Sequence, residues 1–324
     1  MTKMPVGVGV IGTGMMGADH VRTLTSHVQG AYVAAVSDVD PGRAAAAARD
    51  CEGARAIADP HALIADAVVD AVVVASYDAT HEEFVLACLA AGKPVLCEKP
   101  LATTADACLR VVEAELATGR RLIHLGFMRR YDPAYAAVKQ RLAGGGVGEI
   151  LMVHCAHRNA IAPPAYTSEM LITSSAVHEI DIARWLLEEE VVAATVRAAR
   201  PTSQAPDGLR DPQLVLLEMA SGVLVDVEVF VNARYGYDIR CELVGETGTL
   251  KLEEQVAPDF RARFATAYRR ELEAWVGAVE DGTGDGPSAW DGYAANAVAD
   301  ACLASLASGA RASVRLAERP ALYG

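Results

Sequence analysis

The chain has no apolar run of membrane-spanning length and no charged and apolar leader at its start. A spanning helix needs about 20 mostly apolar residues, and a secretory leader needs both regions, so we expect a soluble, cytoplasmic protein. Basic residues are few: 29 Lys and Arg stand against 42 Asp and Glu, giving a formal net charge of −13. An acidic chain of this kind disfavours nucleic acid or an anionic membrane as partner.

The chain also lacks any Cys-x-x-Cys pair and any pattern that predicts a metal site. His154, Cys155 and His157 stand close together, but on a strand His154 takes one face and the other two take the opposite face, so the three cannot converge on an ion. The cysteines are scattered and odd in number, which predicts reduced, mostly buried thiols. They are Cys51, Cys88, Cys97, Cys108, Cys155, Cys241 and Cys302.

What the chain does contain is organised around one stretch near its start. An apolar run, Val6 to Ile11, leads into Gly12-Thr13-Gly14-Met15-Met16-Gly17; a helical pattern and a second apolar run follow, ending at Asp38. The glycines allow a tight turn, approach of backbone to a pyrophosphate and packing of helix on strand, and the N–H groups of the first helical turn face the phosphate. A glycine turn alone can be purely structural. With both strands, the helix and the acidic residue, the stretch predicts a dinucleotide site.

The acidic residue predicts which dinucleotide binds. A carboxylate at Asp38 can accept hydrogen bonds from both hydroxyls of an adenosine ribose, but it would repel a 2′-phosphate. The sequence therefore favours NAD over NADP. Arg43, five residues further on, leaves an alternative open, because a nearby arginine is what an NADP site would use; at the start of a helix it is more often a solvated surface residue.

Strand and helix patterns alternate from Val6 to about residue 127, which predicts one doubly wound parallel sheet, a Rossmann domain over residues 1–127. Ligands bind such sheets beyond the carboxyl ends of the strands. In addition to the turn residues and Asp38, we assign cofactor contacts in this domain to Ser76, Thr80, His81, Glu98 and Lys99.

Beyond the glycine-rich residues 144–148 the pattern changes to long strand candidates, with one strong helix at residues 175–188. Strands joined by short turns predict a C-terminal α+β domain, residues 128–324, built on a large, mostly antiparallel open sheet. Both faces of these strands carry apolar residues, so we expect the second face to meet a partner chain. Two helices in the tail are expected to pack back on the first domain.

Oxidation of an alcohol by a nicotinamide requires a base for the hydroxyl proton and a cation or donor for the developing alkoxide. Lys99 ends a predicted strand and precedes a proline, which makes it our candidate for the cation; the alternative is a surface lysine. His178 lies in the first turns of the helix at 175–188, where the positive helix end favours the neutral imidazole that a base needs; the alternative is a residue that only caps or packs. His157 and Asn159, at the end of a strand, could bind the hydroxyls of a polyol.

GTGMMG, Glu98-Lys99-Pro100 and the histidine of HEIDIARWLL together resemble the Gfo/Idh/MocA oxidoreductases over the whole chain. The stretches YTSEMLI, QLVLLEM, VNARYGYDIRCELVGETG and GPSAWDGYAA are similar to those of bacterial inositol 2-dehydrogenases. The resemblance implies NAD-dependent oxidation of a ring hydroxyl of a cyclitol, with myo-inositol giving 2-keto-myo-inositol (scyllo-inosose), in a homotetramer built on the second-domain sheets. It implies catalytic roles for Lys99 and His178 and polyol contacts for Arg129, His157, Asn159, Ser175 and Tyr237.

Two departures from the family pattern keep alternatives open. Ser174 stands where the family typically has an aspartate four residues before the histidine; we assign it to the substrate site. The chain is also shorter than its relatives between residues 252 and 260. A dehydrogenase for another cyclitol or for a pyranose, with a pocket altered at Ser174, is one alternative. A nucleotide-binding regulator without catalysis is the other.

Overall fold

The computed structural model describes residues 4–253 and 255–324, which fall into two compact units. Unit 1 contains the described residues up to Phe127 together with Tyr268–Tyr293 and Glu318–Gly324. Unit 2 contains Met128–Ala267 and Ala294–Ala317. Among the described residues, no helix has the length and apolar character needed to cross a membrane.

Unit 1 is built on a six-stranded, all-parallel sheet in the order β3-β2-β1-β4-β5-β6. The order reverses between β1 and β4, which is where ligands bind in sheets of this kind. The predicted doubly wound fold is confirmed. In chain order the elements are β1 Val6–Ile11, α1 Met15–Ser26, β2 Ala31–Ser37, α2 Pro41–Arg49, β3 Arg55–Ala56, α3 Pro60–Ala65, β4 Ala71–Val74, α4 His81–Ala90, β5 Val95–Glu98, α5 Ala105–Thr118 and β6 Ile123–Gly126.

Local sequence explains where the helices of unit 1 begin and end. Asp40 caps α2 by accepting hydrogen bonds from the N–H groups of Gly42 and Arg43, and Pro41 occupies the first helical turn. Thr104 caps α5 in the same way, and Gly119 ends that helix with a left-handed backbone at φ 69°. Each cap satisfies backbone groups that a helix end leaves open. The central strands β1 and β4 are buried along their whole length, as the apolar runs predict.

Unit 2 is built on an eight-stranded sheet in the order β12-β11-β7-β10-β9-β8-β14, with β13 added beside β11. All its pairs are antiparallel except β7 with β10. The predicted mostly antiparallel sheet is confirmed. The remaining elements are α6 Pro133–Ala143, β7 Ile150–Arg158, α7 Val177–Leu187, β8 Val191–Ala198, β9 Gln213–Met219, β10 Leu224–Phe230, β11 Tyr237–Gly245, β12 Thr249–Lys251, β13 Val256–Ala257, α8 Phe260–Asp281, α9 Ala289–Ser308 and β14 Ala312–Ser313.

The start of the helix that carries His178 differs from the prediction. A π-helical segment, Leu171–Ala176, runs directly into α7. His178 therefore lies seven residues inside the helical segment, and since the helix dipole acts mainly within the first turn, the argument that the helix end keeps His178 neutral is wrong. The sequence pattern placed the start of the helix at Ser175, whereas the helical segment begins at Leu171, and its apolar residues Leu171 and Ile172 are buried.

The cysteines are reduced thiols, and all seven are buried, as predicted. Cys155 and Cys241 face each other across β7 and β11. Among the residues that the structure describes, no group of three His, Cys, Asp or Glu side chains could hold a metal ion.

Candidate active site

The glycine turn of unit 1 has the geometry that a bound pyrophosphate needs. Gly12 adopts φ +88°, and a Cβ there would stand 2.5 Å from the carbonyl oxygen of Ala75. A Cβ on Gly17 would stand 1.8 Å from the carbonyl oxygen of Gly12, so this glycine is required for α1 to pack on β1. Gly14 is at the N-cap of α1, and apart from its own residue and its chain neighbours no atom lies within 4 Å of such a Cβ. Open space in front of a helix N-terminus is the arrangement that binds phosphate.

A cavity of about 580 Å³ adjoins the turn and is lined by five of the twelve residues that we assigned to the cofactor. The hydroxyls of Ser76 and Thr80 lie 2.7 Å apart on its wall. Met15 is exposed and Met16 is half-buried at the start of α1. The residues present fit a dinucleotide. The lining includes Gly12, Gly14, Asp38, Val39, Arg43, Pro60, Ser76, Thr80 and Phe84.

Asp38 is held at the end of β2 by four hydrogen bonds. Its Oδ2 accepts from the backbone N–H of Thr13 at 2.7 Å and from the Thr13 hydroxyl at 3.0 Å. Its Oδ1 accepts from the N–H of Asp40 at 2.8 Å and from Arg43 at 2.7 Å. Burial would raise the pKa of Asp38, but these hydrogen bonds outweigh it and lower the pKa to about 2. Since a carboxylate has about four acceptor positions, we expect a ribose hydroxyl to displace Arg43, whose side chain is half exposed.

The loop that carries Lys99 is supported by two buried histidines of unit 1. His20, on α1, has its Nε2 2.7 Å from Oε1 of Glu98, whose Oε2 accepts from the N–H of Lys99 at 3.3 Å. His81 has its Nδ1 2.7 Å from the carbonyl oxygen of Pro100 and its Nε2 3.1 Å from that of Ser76. His81 is 1% exposed. Our assignment of His81 and Glu98 to the cofactor stays a prediction; in the structure their side chains contact the backbone of Ser76, Lys99 and Pro100.

In unit 2, His157 is the centre of a cluster of predicted site residues. Its ring stacks on that of His178 with centroids 6.3 Å apart and meets the edge of Tyr237 at 5.8 Å. Its Nδ1 lies 3.1 Å from Nη2 of Arg129. The end of β7, the start of β11, α7 and the short helical turn Met128–Tyr131, which carries Arg129, therefore bring together four residues from distant parts of the sequence. Burial raises the pKa of Tyr237, and the nearby Arg129 opposes that rise.

The other predicted substrate residues of unit 2 are Asn159, Ser174 and Ser175. Asn159 follows β7, and its backbone N–H donates to the carbonyl of Phe230 at 2.9 Å. Ser175 is buried, and its hydroxyl lies 2.8 Å from that of Tyr166. Ser174 is half-buried and also hydrogen-bonds Tyr166. Burial raises the pKa of Tyr166 to about 12, against the effect of these serines, so the phenol is protonated.

Comparison with known proteins identifies the family. A model described as an oxidoreductase family with an NAD-binding Rossmann fold matches residues 6–127, and the GFO/IDH/MocA C-terminal domain matches residues 135–251. The chain belongs to the Gfo/Idh/MocA family. Inositol 2-dehydrogenase 2 of Saccharopolyspora erythraea is 57% identical over 99% of this chain and 98% of that protein. Inositol 2-dehydrogenase of Burkholderia ambifaria is 48% identical over 99% of both.

A solved structure agrees with these relatives. The crystal structure of myo-inositol dehydrogenase from Lactobacillus casei, in complex with NAD(H) and myo-inositol, superimposes with a TM-score of 0.96 at 38% identity. The match covers 99% of this chain and 100% of that one. As a member of the Gfo/Idh/MocA family, the protein is an NAD-dependent oxidoreductase, and the predicted cofactor is confirmed.

The geometry of this Gfo/Idh/MocA oxidoreductase includes one buried acid that we did not predict. Glu179, next to His178, accepts a hydrogen bond from Arg129 and has both carboxylate oxygens near Nδ1 of His157, at 3.1 and 3.0 Å. In the sequence Glu179 is one acid in a helix that contains several. One sequence feature could have indicated Glu179: it directly follows the candidate base His178.

The contacts of Asp38 lead to a prediction about cofactor choice. Asp38→Ser should raise the ratio of kcat/KM for NADP to that for NAD by about tenfold or more, because it removes a charge that repels the 2′-phosphate and releases Arg43. Steady-state kinetics with both cofactors measure the ratio. Asp50→Ser is the matched control: this acid is exposed at the C-terminal end of α2, and its replacement should leave the ratio unchanged. Wild-type protein that uses both cofactors equally well would contradict the role of Asp38.

Proposed function

We propose that the protein oxidises a secondary ring hydroxyl of a cyclitol, with myo-inositol to 2-keto-myo-inositol as the leading reaction. The observation that carries the proposal is the cluster of Arg129, His157, His178 and Tyr237, four residues that the family resemblance assigns to polyol binding or catalysis. The names of the relatives support the same substrate class: proteins that match over nearly the whole chain are inositol 2-dehydrogenases.

The roles of the residues follow from the chemistry of an alcohol. When bound, NAD supplies the hydride acceptor. We propose that His178 takes the hydroxyl proton and that Lys99 donates to the hydroxyl oxygen and stabilises the negative charge that develops there. Hydroxyls elsewhere on the ring bind His157, Asn159 and Tyr237. Support for Lys99 comes from the contacts around it: its N–H donates to Glu98, and the carbonyl oxygen of Pro100 lies 2.7 Å from Nδ1 of His81.

One assay tests this function directly. Purified protein with NAD should form NADH with myo-inositol or another cyclitol and much more slowly with pyranoses and acyclic polyols. Turnover confined to a pyranose would replace cyclitols with sugars as the substrate class. Absence of NADH with every polyol and sugar, despite binding of NAD, would favour the non-catalytic regulator.

Ser174 is the position where the choice of substrate is decided in this proposal. A carboxylate at 174, four residues before His178 on the same helical segment, would favour the imidazolium form of the base. A serine adds no charge and already has a partner in Tyr166. Serine therefore either weakens the coupling to His178 or makes room for a group on a different ring.

Ser174→Asp distinguishes these two roles. If Ser174 acts on His178, the aspartate should move the acidic limb of kcat/KM to higher pH by about one unit, because the neutral base then forms only at higher pH, and should raise the plateau for myo-inositol. If Ser174 instead makes room for a group on a different substrate ring, the same variant should improve oxidation of myo-inositol and impair oxidation of the native substrate. Thr173→Asp is the matched control, since it adds the same charge at the neighbouring position. An unshifted limb with unchanged substrate preference would remove Ser174 from both roles.

We also propose that the protein is a cytoplasmic homo-oligomer, a tetramer by resemblance, that uses the open face of the sheet in unit 2. Along β9 and β10 every second residue is buried, so each strand has one covered face and one more open face. The open positions of the sheet include apolar residues: Leu214 on β9 is 46% exposed, and Met152 on β7, which pairs with β10, is 37% exposed. Burial of such residues on association is favourable.

A further inference from the structure

A fully buried carboxylate lies behind His157 and belongs to none of the roles described so far. Glu179 is 0% exposed, Arg129 is 1% exposed and His157 is 3% exposed. Burial alone would raise the pKa of Glu179, but the charge of Arg129 and the contacts of Arg129 and His157 outweigh it, so the pKa lies below its usual value. The carboxylate is therefore ionised, and it can only accept hydrogen bonds.

Two groups compete for Nδ1 of His157. Both oxygens of Glu179 lie near this nitrogen, at 3.1 and 3.0 Å, and Nη2 of Arg129 lies 3.1 Å from it. If Nδ1 carries a proton, it donates to the carboxylate. If it does not, its lone pair accepts from Arg129 but faces two carboxylate oxygens, a repulsive contact in a buried site. The two oxygens together favour the protonated Nδ1.

The proton on Nδ1 decides what the other nitrogen of the ring offers. In a neutral imidazole one nitrogen is a donor and the other an acceptor. With Nδ1 donating to Glu179, Nε2 carries a lone pair and can accept a hydrogen bond from a hydroxyl. With the opposite tautomer it could only donate.

We propose that Glu179 is a positioning residue that, through Nδ1, fixes His157 in the tautomer whose Nε2 accepts a hydrogen bond from a substrate hydroxyl. The inference rests on the proposed function in assigning a polyol hydroxyl to Nε2. Glu179 also holds Arg129, whose guanidinium lies 5.4 Å from the centre of the Phe264 ring. Arg129 thus contributes to the site through Glu179 and His157, with its own side chain buried.

The first test is spectroscopic and needs neither substrate nor turnover. In protein labelled with 15N-histidine, protonated and unprotonated ring nitrogens give separate resonances, and His157 is assigned by comparison with His157→Asn. Wild-type His157 should show a protonated Nδ1 and an unprotonated Nε2. In Glu179→Gln the amide can turn its NH₂ toward the ring, so the population should shift toward a protonated Nε2. A protonated Nε2 with a bare Nδ1 in the wild-type protein would overturn the proposal.

The buried Arg129 loses its counter-charge in Glu179→Gln, and the variant can fail to fold for that reason. The double variant Arg129→Met/Glu179→Met removes both charges at similar volume, which proteins often tolerate. It leaves His157 without its carboxylate, and the preference for a protonated Nδ1 should be lost there too. Thermal unfolding shows which of the two variants is folded, and a folded variant that retains the wild-type tautomer contradicts the proposal.

A double-mutant cycle separates positioning from a general structural effect. Glu179→Gln should lower kcat/KM for the cyclitol by roughly 10- to 100-fold, as for other residues that orient a functional histidine. In the His157→Asn background the same substitution should change kcat/KM by less than about threefold, because its effect passes through His157. An equal loss in both backgrounds would overturn the role.

A matched control and the wild-type assay complete the design. Glu188→Gln makes the same chemical change at the C-cap of α7, where the side chain is 77% exposed and pairs with Lys139, and should leave both the spectrum and kcat/KM unchanged. If the tautomer shifts as expected while the wild-type protein oxidises no cyclitol, the proposed function fails and the positioning of His157 stands. If the wild-type protein oxidises a cyclitol but Glu179→Gln leaves the tautomer of His157 unchanged, the proposed function stands and the positioning role of Glu179 fails.

Discussion

Lys99→Met should lower kcat about a hundredfold or more while the affinity for NAD changes little. Removal of one group that stabilises transition-state charge typically lowers kcat by about 10²- to 10³-fold, and methionine keeps most of the volume of lysine without its charge. If Lys99 acts mainly on the transition state, kcat and kcat/KM should fall by similar factors. Steady-state kinetics with the cyclitol and fluorescence titration with NAD measure the two effects.

The structure provides a control for Lys99 in the same βα unit. Lys93 lies six residues earlier, and its Nζ donates to the carbonyl oxygen of Asp66 at 2.8 Å. Lys93→Met removes one lysine of unit 1 without touching the loop of Lys99, so it should leave kcat within about twofold of the wild-type value. If Lys99→Met turns over at the wild-type rate, or if it loses NAD affinity as steeply as kcat, the role in charge stabilisation is wrong.

His178→Gln should lower kcat/KM by roughly 10²- to 10⁴-fold, which is the range for general acid–base catalysis. Glutamine keeps a polar side chain of similar size but cannot take a proton, so the acidic limb that His178 gives to the pH profile of kcat/KM should disappear along with the rate. Measurement of kcat/KM across the pH range in wild type and variant tests both statements.

His61→Gln is the matched control for His178. This histidine is half exposed on α3 and pairs with Glu83, and its replacement should leave both the rate and the pH profile unchanged. The same experiment separates the proposed enzyme from the regulator. For a regulator that binds NAD without catalysis, the wild-type protein has no acidic limb to lose, and His178→Gln changes nothing.

The sequence-based arguments for Lys99 and for His178 agree with the structure to different degrees. Lys99 was proposed because it follows a predicted strand and precedes a proline, and the structure has that strand, β5, ending at Glu98. For His178 the physical reason was wrong, because the sequence pattern placed the start of the helix at Ser175. The π-helical segment begins at Leu171, and only burial of the apolar residues at its start decides that.

Local pattern by itself determined the nucleotide half of this protein. The apolar runs, three glycines and Asp38 all lie within 33 residues of one another, from Val6 to Asp38, and Asp38 accepts hydrogen bonds from Thr13 within the same βαβ unit. Asp38 favoured NAD, and the family resemblance added a cyclitol as the expected substrate. The order of strand and helix likewise predicted a parallel sheet in unit 1, because a parallel pair needs a crossover helix between its strands.

Only the tertiary structure decided how the polar cluster of unit 2 is built. Arg129, His157 and Glu179 are separated by 28 and 22 residues and lie on three different elements, so no periodicity links them. The parallel pairing of β7 with β10, in a sheet whose other pairs are antiparallel, was equally hidden. A buried charge is stable only when packing brings its partner within hydrogen-bond distance. The sequence supplied the carboxylate of Glu179, and the fold around it turned that carboxylate into the partner of His157.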